Sequence, residues 1–321
     1  MDIVVSGSIA YDYLMRFPGH FSEHFILDEL HQVSLSFLVD EMTKHWGGVG
    51  ANIAFTLALL GTRPKLMGTV GRDFADYRQW LESHHVDCST VRVIDDVFTA
   101  SFFANIDLDN NQIGSFYAGA MAFANRYTLA EVHPGKPDLV MISPNDPSAM
   151  ANLAQECRER SIKFIYDPSQ QVQRLSGDEL RRDMVGAYAM VINAYESGII
   201  SKKTGLTLDD LRQQVEVLII TQGKRGSHIY TQDQLIEVPV FPEVQIKDPT
   251  GVGDAFRAGL VRGMLGGWSL KTSALVGSLC ATYVLEQVGT QNHHFELPTF
   301  VARFREQFDD EGVLDELLQP A

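Results

Sequence analysis

Basic residues are in short supply: 26 Lys and Arg stand against 41 Asp and Glu in 321 residues, a net charge of -15 with a pI near 5.0. Such a chain has no basic patch to meet duplex nucleic acid or an anionic membrane surface, so neither is expected as a partner. Cysteine is scarce as well. Cys88, Cys157 and Cys280 lie far apart, are odd in number and match no metal-ligand spacing, and they read as buried thiols in a reducing compartment. Neither a secretory leader nor a membrane anchor is expected. The start, Met1-Asp2-Ile3-Val4-Val5-Ser6-Gly7, is a strand opening with an acid rather than a basic leader, and the longest nearly apolar run, Ala274 to Leu285, is too short to span a bilayer. Internal repeats and low-complexity linkers are also absent. What remains is an ordinary globular balance, 45% hydrophobic and 21% charged, and a cytoplasmic protein with a small-molecule substrate is expected. If that substrate carries or donates phosphate, its charge must be offset locally by Mg²⁺, Lys or Arg. Length alone allows one large α/β domain or two unequal ones.

The stretch that organises the rest is Asp248-Pro249-Thr250-Gly251-Val252-Gly253-Asp254-Ala255-Phe256. Two glycines one residue apart permit backbone angles closed to other residues, so that successive N–H groups can converge on an anion. From Asp254 onward the pattern is helical, with Phe256, Leu260 and Met264 on one face. The loop therefore sits at a helix N-terminus, where unpaired amides and the helix dipole favour negative charge. An isolated Asp there is usually a cap. Beside a glycine-built phosphate site, Asp254 has a chemical use, taking the proton from a hydroxyl that attacks the phosphate.

Along the chain, Asp2–Ser6 reads as a buried strand and Gly7–Asp12 as the loop leaving it. His31–Val39 alternates polar and apolar, suggesting antiparallel strands solvated on one face. A second glycine-rich helix entry, Trp46-Gly47-Gly48-Val49-Gly50-Ala51-Asn52, precedes an apolar helix over Ile53–Leu60. Pro64–Gly71 reads as one strand, and Thr99–Ile106 with Ile113–Tyr117 as a hairpin around Asp107-Leu108-Asp109-Asn110-Asn111. From Asp138 strand and helix alternate to Thr221, which means a mostly parallel sheet covered on both faces. The acidic tail from Asp309 is expected as an exposed short helix or frayed end, and His293-His294 as an exposed loop without a third ligand for a metal.

Together, Gly47-Gly48-Val49-Gly50-Ala51-Asn52 and the Asp248–Phe256 run resemble the two signatures of the ribokinase-like (phosphofructokinase B) kinases of sugars and nucleosides. Within that family the chain is similar to bacterial adenosine kinases of ribokinase type, on Gly7-Ser8-Ile9-Ala10 with Asp12, Met15–Gly19, Val33–Val39, Asp167-Pro168-Ser169-Gln170-Gln171 and Asp254–Gly259. The resemblance covers nearly the whole chain. It implies a single kinase domain over 1–321, a doubly wound α/β/α core with a small β-sheet lid from about 13–46 and 99–118, ATP and Mg²⁺, phosphorylation of the 5'-hydroxyl of adenosine, and a homodimer formed through the lid. Residue by residue it implies Asp254 as base and Gly251, Val252 and Gly253 as anion-hole amides. Asp12, Asn52 and Gly48 would hold the ribose, although an Asx turn, a helix cap and a tight turn are the ordinary readings of those three alone. Phe102 and Phe116 would sandwich the base, with Phe103 left to the core, and Ser8, Ser36, Gln170 and Gln171 would add polar contacts. The two glutamines point oppositely if extended. Asn193 and Glu196 would order water around Mg²⁺, Thr221, Gly223 and Gly226 would meet the nucleotide, and Asp248 near Gly289 could hold K⁺. No role can be derived for Arg257, with contact to substrate, contact to phosphate and pairing with an acid all open. A broader purine nucleoside kinase, a ribokinase and a catalytically silent nucleoside-binding protein are the competing expectations.

Overall fold

The computed structural model describes residues 1–25, 32, 34–242 and 245–319. Strand β1 (Ile3–Ser6) leads within three residues into β2 (Ala10–Arg16), and β3 (Glu41–Gly47) returns beside it before helix α1 (Val49–Leu59). Then follow β4 (Lys65–Met67), β5 (Thr69–Gly71), α2 (Ala75–Ser83), β6 (Arg92–Ile94), the hairpin β7 (Ala100–Ile106) and β8 (Gln112–Tyr117), and the short α3 (Leu129–Val132). Strand and helix next alternate through β9 (Leu139–Ile142), α4 (Pro147–Glu159), β10 (Phe164–Tyr166), α5 (Gly177–Met184), β11 (Ala189–Asn193), α6 (Ala194–Thr204), α7 (Leu208–Gln214) and β12 (Val217–Thr221). The hairpin β13 (Ser227–Tyr230) and β14 (Leu235–Val238) precedes α8 (Val252–Leu265), α9 (Leu270–Leu285) and α10 (Leu297–Arg305).

The main sheet has eight strands in the order β14-β13-β12-β11-β10-β9-β1-β4, parallel except for the antiparallel β12-β13-β14 edge. Its central strands are apolar throughout because both faces are covered. Alternate residues divide between two cores: Val5, Met141, Ile165, Val191 and Ile219 pack with α1, α8 and α9, whereas Val4, Val140, Tyr166, Ile192 and Leu218 pack with α4, α5, α6 and α7. The apolar run Ala274–Leu285 is the buried helix α9, and its Gly277 meets Gly259 of α8 so closely that a Cβ on Gly259 would lie 2.6 Å from the Gly277 Cα. The polar ends of the helices are closed locally, with reciprocal caps in Ser176–Glu179, Asn193–Glu196 and Thr207–Asp210.

A second, four-stranded sheet, β3-β2-β7-β8, forms the lid, with β2 and β7 parallel and the other pairs antiparallel. The sequence reading needs several corrections here. Gly7–Asp12 is not all loop: β2 begins at Ala10, and no strand occupies the described residues 34–39, while His31 and Val33 of that expected strand lie outside the described residues. Pro64–Gly71 is two strands in different sheets, separated at Gly68, where a Cβ would lie 2.9 Å from the Gly7 carbonyl. Phe103 is no core residue. It is half-exposed on the outer face of the lid and stacks on Tyr13 at 4.9 Å. The acidic tail is anchored rather than frayed, with Leu314 and Leu317 buried and Glu316 accepting from Arg262 and Trp268. His293 is buried on Thr56, with only His294 exposed.

Candidate active site

Core strands end, and α1 and α8 begin, along one edge of the main sheet, and the lid lies over that edge. Between them runs a cleft of about 670 Å³ lined by Ser8, Asp12, Arg16, His45, Gly48, Asn52, Phe102, Gln112, Phe116, Gln170, Asp248, Gly251 and Asp254 among others. Ligand clefts at the carboxyl ends of strands are the rule for open α/β sheets.

Gly251 has φ +80° and precedes the first turn of α8, a conformation that favours glycine. Gly253 is different. It is an ordinary helical residue, so the expectation that both glycines serve unusual backbone angles holds only for Gly251. In the first turn of α8, Asp254 accepts a hydrogen bond at Oδ2 from Asn52 Nδ2 at 2.9 Å. Asn52 is the fourth residue of α1, hence no cap, and its Oδ1 accepts from Gln291 Nε2 at 2.9 Å. Gln291 is itself held by Tyr77 and Trp80. This chain of amides fixes one oxygen of Asp254 and leaves Oδ1 toward Arg257, whose Nη1 is 4.0 Å away. Burial raises the Asp254 carboxyl, against the pull of Arg257 and the Asn52 bond.

Arg257 is buried, and its guanidinium forks onto Asp167, after β10, through Nε at 2.6 Å and Nη2 at 2.9 Å. Burial raises Asp167 as well, with Arg257 opposing. Asp12 stands in β2, not in an Asx turn, and its carboxyl is pushed up to about 6 by burial first and then by Asp254 and Asp248. Gly48, at φ +93°, lets the chain turn where a Cβ would strike the Ala10 amide and the Ser8 carbonyl at 2.6 Å. Ser8 Oγ accepts from the Val49 amide and so closes the start of α1.

Phe102 and Phe116 are register partners on the cleft face of the lid, with Gly114 leaving room for the Phe102 ring. They adjoin on one face instead of opposing one another. Of Gln170 and Gln171 only Gln170 lines the cleft, while Gln171 is buried and donates to the Asn145 carbonyl. Ser36 is exposed on the β2–β3 connection and does not line the cleft.

Farther along the same edge, Asn193 pairs in register with Thr221. Asn193 and Glu196 exchange hydrogen bonds as a reciprocal cap of α6, and Glu196 is buried. Its Oε1 accepts no hydrogen bond among the described residues, so a hard carboxylate oxygen is left for a hydrated divalent cation. Gly223 and Gly226, at φ +59° and +87°, bound the tight turn after β12. The Asp248 oxygens accept from the amides of Thr250 and Gly289; burial would raise this carboxyl, but those bonds hold it below the usual range.

A family model, the pfkB family carbohydrate kinases, matches residues 5–296. The chain belongs to that family. A nucleoside kinase of Methanothermobacter thermautotrophicus is 31% identical over 311 residues, covering 96% of each chain. A nucleoside kinase of Burkholderia thailandensis, solved in complex with inosine, is 34% identical with a TM-score of 0.85, covering 95% of this chain and 98% of that one. The Methanocaldococcus jannaschii nucleoside kinase, an archaeal member of the ribokinase family, gives 27% identity and a TM-score of 0.85 over 96% of this chain and 99% of that one. The fold of this kinase is ribokinase-like, an α/β core with a lid sheet.

Sequence reasoning missed Gln291, which lies 239 residues from Asn52 with no local pattern to mark it. It also missed the pairing of Arg257 with Asp167, although both residues sit inside quoted motifs.

Proposed function

We propose that this protein is an ATP-dependent nucleoside kinase that transfers the γ-phosphoryl group to the 5'-hydroxyl of adenosine, giving AMP and ADP. The observation that carries the reading is Asp254, with Oδ2 tied to Asn52 and Oδ1 accepting no hydrogen bond among the described residues, beside the N-terminal amides of α8 in a cleft that also holds Asp12, Phe102 and Phe116. Asp254 takes the hydroxyl proton as the oxygen attacks phosphorus and ADP leaves. The amides of Gly251, Val252 and Gly253 stabilise charge on the transferred group, so the chain contributes positioning and electrostatics. Asp12 and Asn52 hold the ribose hydroxyls near Gly48, the two phenylalanines offer an apolar floor to the base, and Ser8 and Gln170 border it. Thr221, Gly223 and Gly226 meet the nucleotide. Asn193 and Glu196 hold the water shell of Mg²⁺, which supplies charge neutralisation at the phosphates. K⁺ is proposed beside Asp248, and choline in its place should slow turnover.

One observation favours a wider base range: the Burkholderia relative was solved with inosine. Parallel assays of ADP release with adenosine, inosine, guanosine, cytidine and ribose decide between the two. A strong adenosine preference supports the narrow reading, comparable purine rates support the broad one, and absent turnover refutes both. We further propose one kinase domain over 1–321 and a cytoplasmic location, in keeping with three buried free thiols and the lack of a membrane-crossing helix among the described residues. The lid turns Met42, Phe103, Ile113 and Tyr117 outward, all well exposed, and a homodimer would cover them. A monomeric mass in solution would refute that.

A further inference from the structure

The pair made by Arg257 and Asp167 is absorbed by none of the roles above, and resting on the kinase reading it explains two features of the catalytic loop. The first is Gly253. With an ordinary helical backbone it needs no glycine for its conformation, yet a Cβ there would lie 2.7 Å from Arg257 Nη1. The guanidinium lies against this residue of the anion loop, and glycine is what gives it room. The second is the charge of the site. Asp254, Asp167 and Glu196 all act on Arg257, and Asp12 adds a further carboxylate facing Asp254. Triphosphate must enter this acidic setting, and Arg257 is the buried cation at its centre.

We propose that Arg257 is a positioning residue for phosphoryl transfer: Asp167 holds its guanidinium against Gly253, where it faces Asp254 and places positive charge behind the anion loop. Asp167 is the anchor. Its carboxylate is fully buried, accepts a hydrogen bond from Nη2 and forms an ion pair with Nε, so Nη1 is left to face Asp254. Nothing in this arrangement requires Arg257 to touch the nucleoside.

The test compares wild type with Arg257→Ala, Arg257→Lys, Gly253→Ala and the double variant Arg257→Met/Asp167→Leu, measuring kcat, nucleoside Kd and the pH dependence of kcat/KM. Removing the guanidinium should lower kcat by roughly 10²-fold, in the range of general-base effects, while nucleoside Kd changes little. The acid limb of kcat/KM should move to higher pH, because the groups facing Asp254 would then be Asn52, Asp12 and Asp167 without a cation. Arg257→Lys should recover part of kcat, and Gly253→Ala should resemble Arg257→Ala by displacing the guanidinium. The double variant controls for folding, since it removes the buried pair together instead of orphaning Asp167. If it folds and stays slow with a displaced acid limb, the positioning role stands. Recovery of wild-type kcat and pH profile in that double variant would overturn it, leaving the pair purely structural. A wild type without turnover on any nucleoside would sink the kinase reading and this role with it, whereas an active wild type matched by Arg257→Ala would sink this role alone.

Discussion

Asp12→Asn offers a perturbation whose sign and size both follow from the cleft. The carboxyl of Asp12 lies at about 6 against an ordinary 3.8, raised by burial and then by Asp254 and Asp248. The folded protein therefore holds a proton on Asp12 that the unfolded chain releases, and stability falls as pH rises from about 4 through 6. Above that window the ionised group destabilises the fold by about 3 kcal/mol, at 1.36 kcal/mol per pH unit. Asparagine removes the charge and keeps the shape. Urea denaturation of wild type and variant at pH 4 and pH 8 should show the variant more stable by up to about 3 kcal/mol at pH 8 and nearly level at pH 4. Nucleoside affinity should fall at the same time, because one acceptor for the ribose hydroxyls is lost. A variant no more stable than wild type at pH 8, or equally stabilised at both pH values, would refute the electrostatic argument.

Three further outcomes are expected. Asp254→Asn keeps an acceptor for Asn52 but removes the base, so turnover should drop roughly 10²- to 10⁴-fold with nucleoside Kd nearly unchanged; survival of activity would overturn the mechanism. Gly251→Ala forces a side chain into φ +80°, at roughly 1–2 kcal/mol, with its Cβ 2.9 Å from Thr290, and thermal unfolding should show the loss together with slower turnover. Gln291→Leu orphans the Trp80 N–H and Asn52 Oδ1, about 1–3 kcal/mol for each buried group, and should lower kcat through Asn52 although Gln291 does not line the cleft.

What could be read in the sequence was whatever has a local period or a local motif. The strand–helix alternation after Asp138 survives with element ends shifted by a residue or two, because buried parallel strands are apolar on both faces and their helices carry capping residues, although α6 was not expected as a helix. Gly251 and Gly48 were legible because positive φ demands glycine. The lid was harder. β2 sends Asp12 and Arg16 into a cleft, and on its opposite face only Tyr11 is fully buried in the core, so its alternation lacks the continuous apolar face of a core strand. Gly253 looked like a twin of Gly251 and is explained only by an arginine one turn later. Gln291 is the extreme case, since its partners come from α1 and α2.

The lid's attachment has a mechanical consequence. β2 follows β1 after three residues, and its root is wedged where Gly48 packs on Ser8 and Ala10 and where Gly7 packs so closely on Gly50 that a Cβ on Gly7 would lie 2.7 Å from the Gly50 Cα. A beam clamped at one end swings most at the other. Asp12 sits near the clamp, whereas Arg16 and its rung partners Ile106 and Gln112 lie four residues farther along the strand, about 13 Å out. Bending of this sheet would leave the rung of Asp12, Phe102 and Phe116 nearly stationary while sweeping the Arg16 end through several times that displacement, so the outer mouth of the cleft can open or close without disturbing the geometry around Asp12.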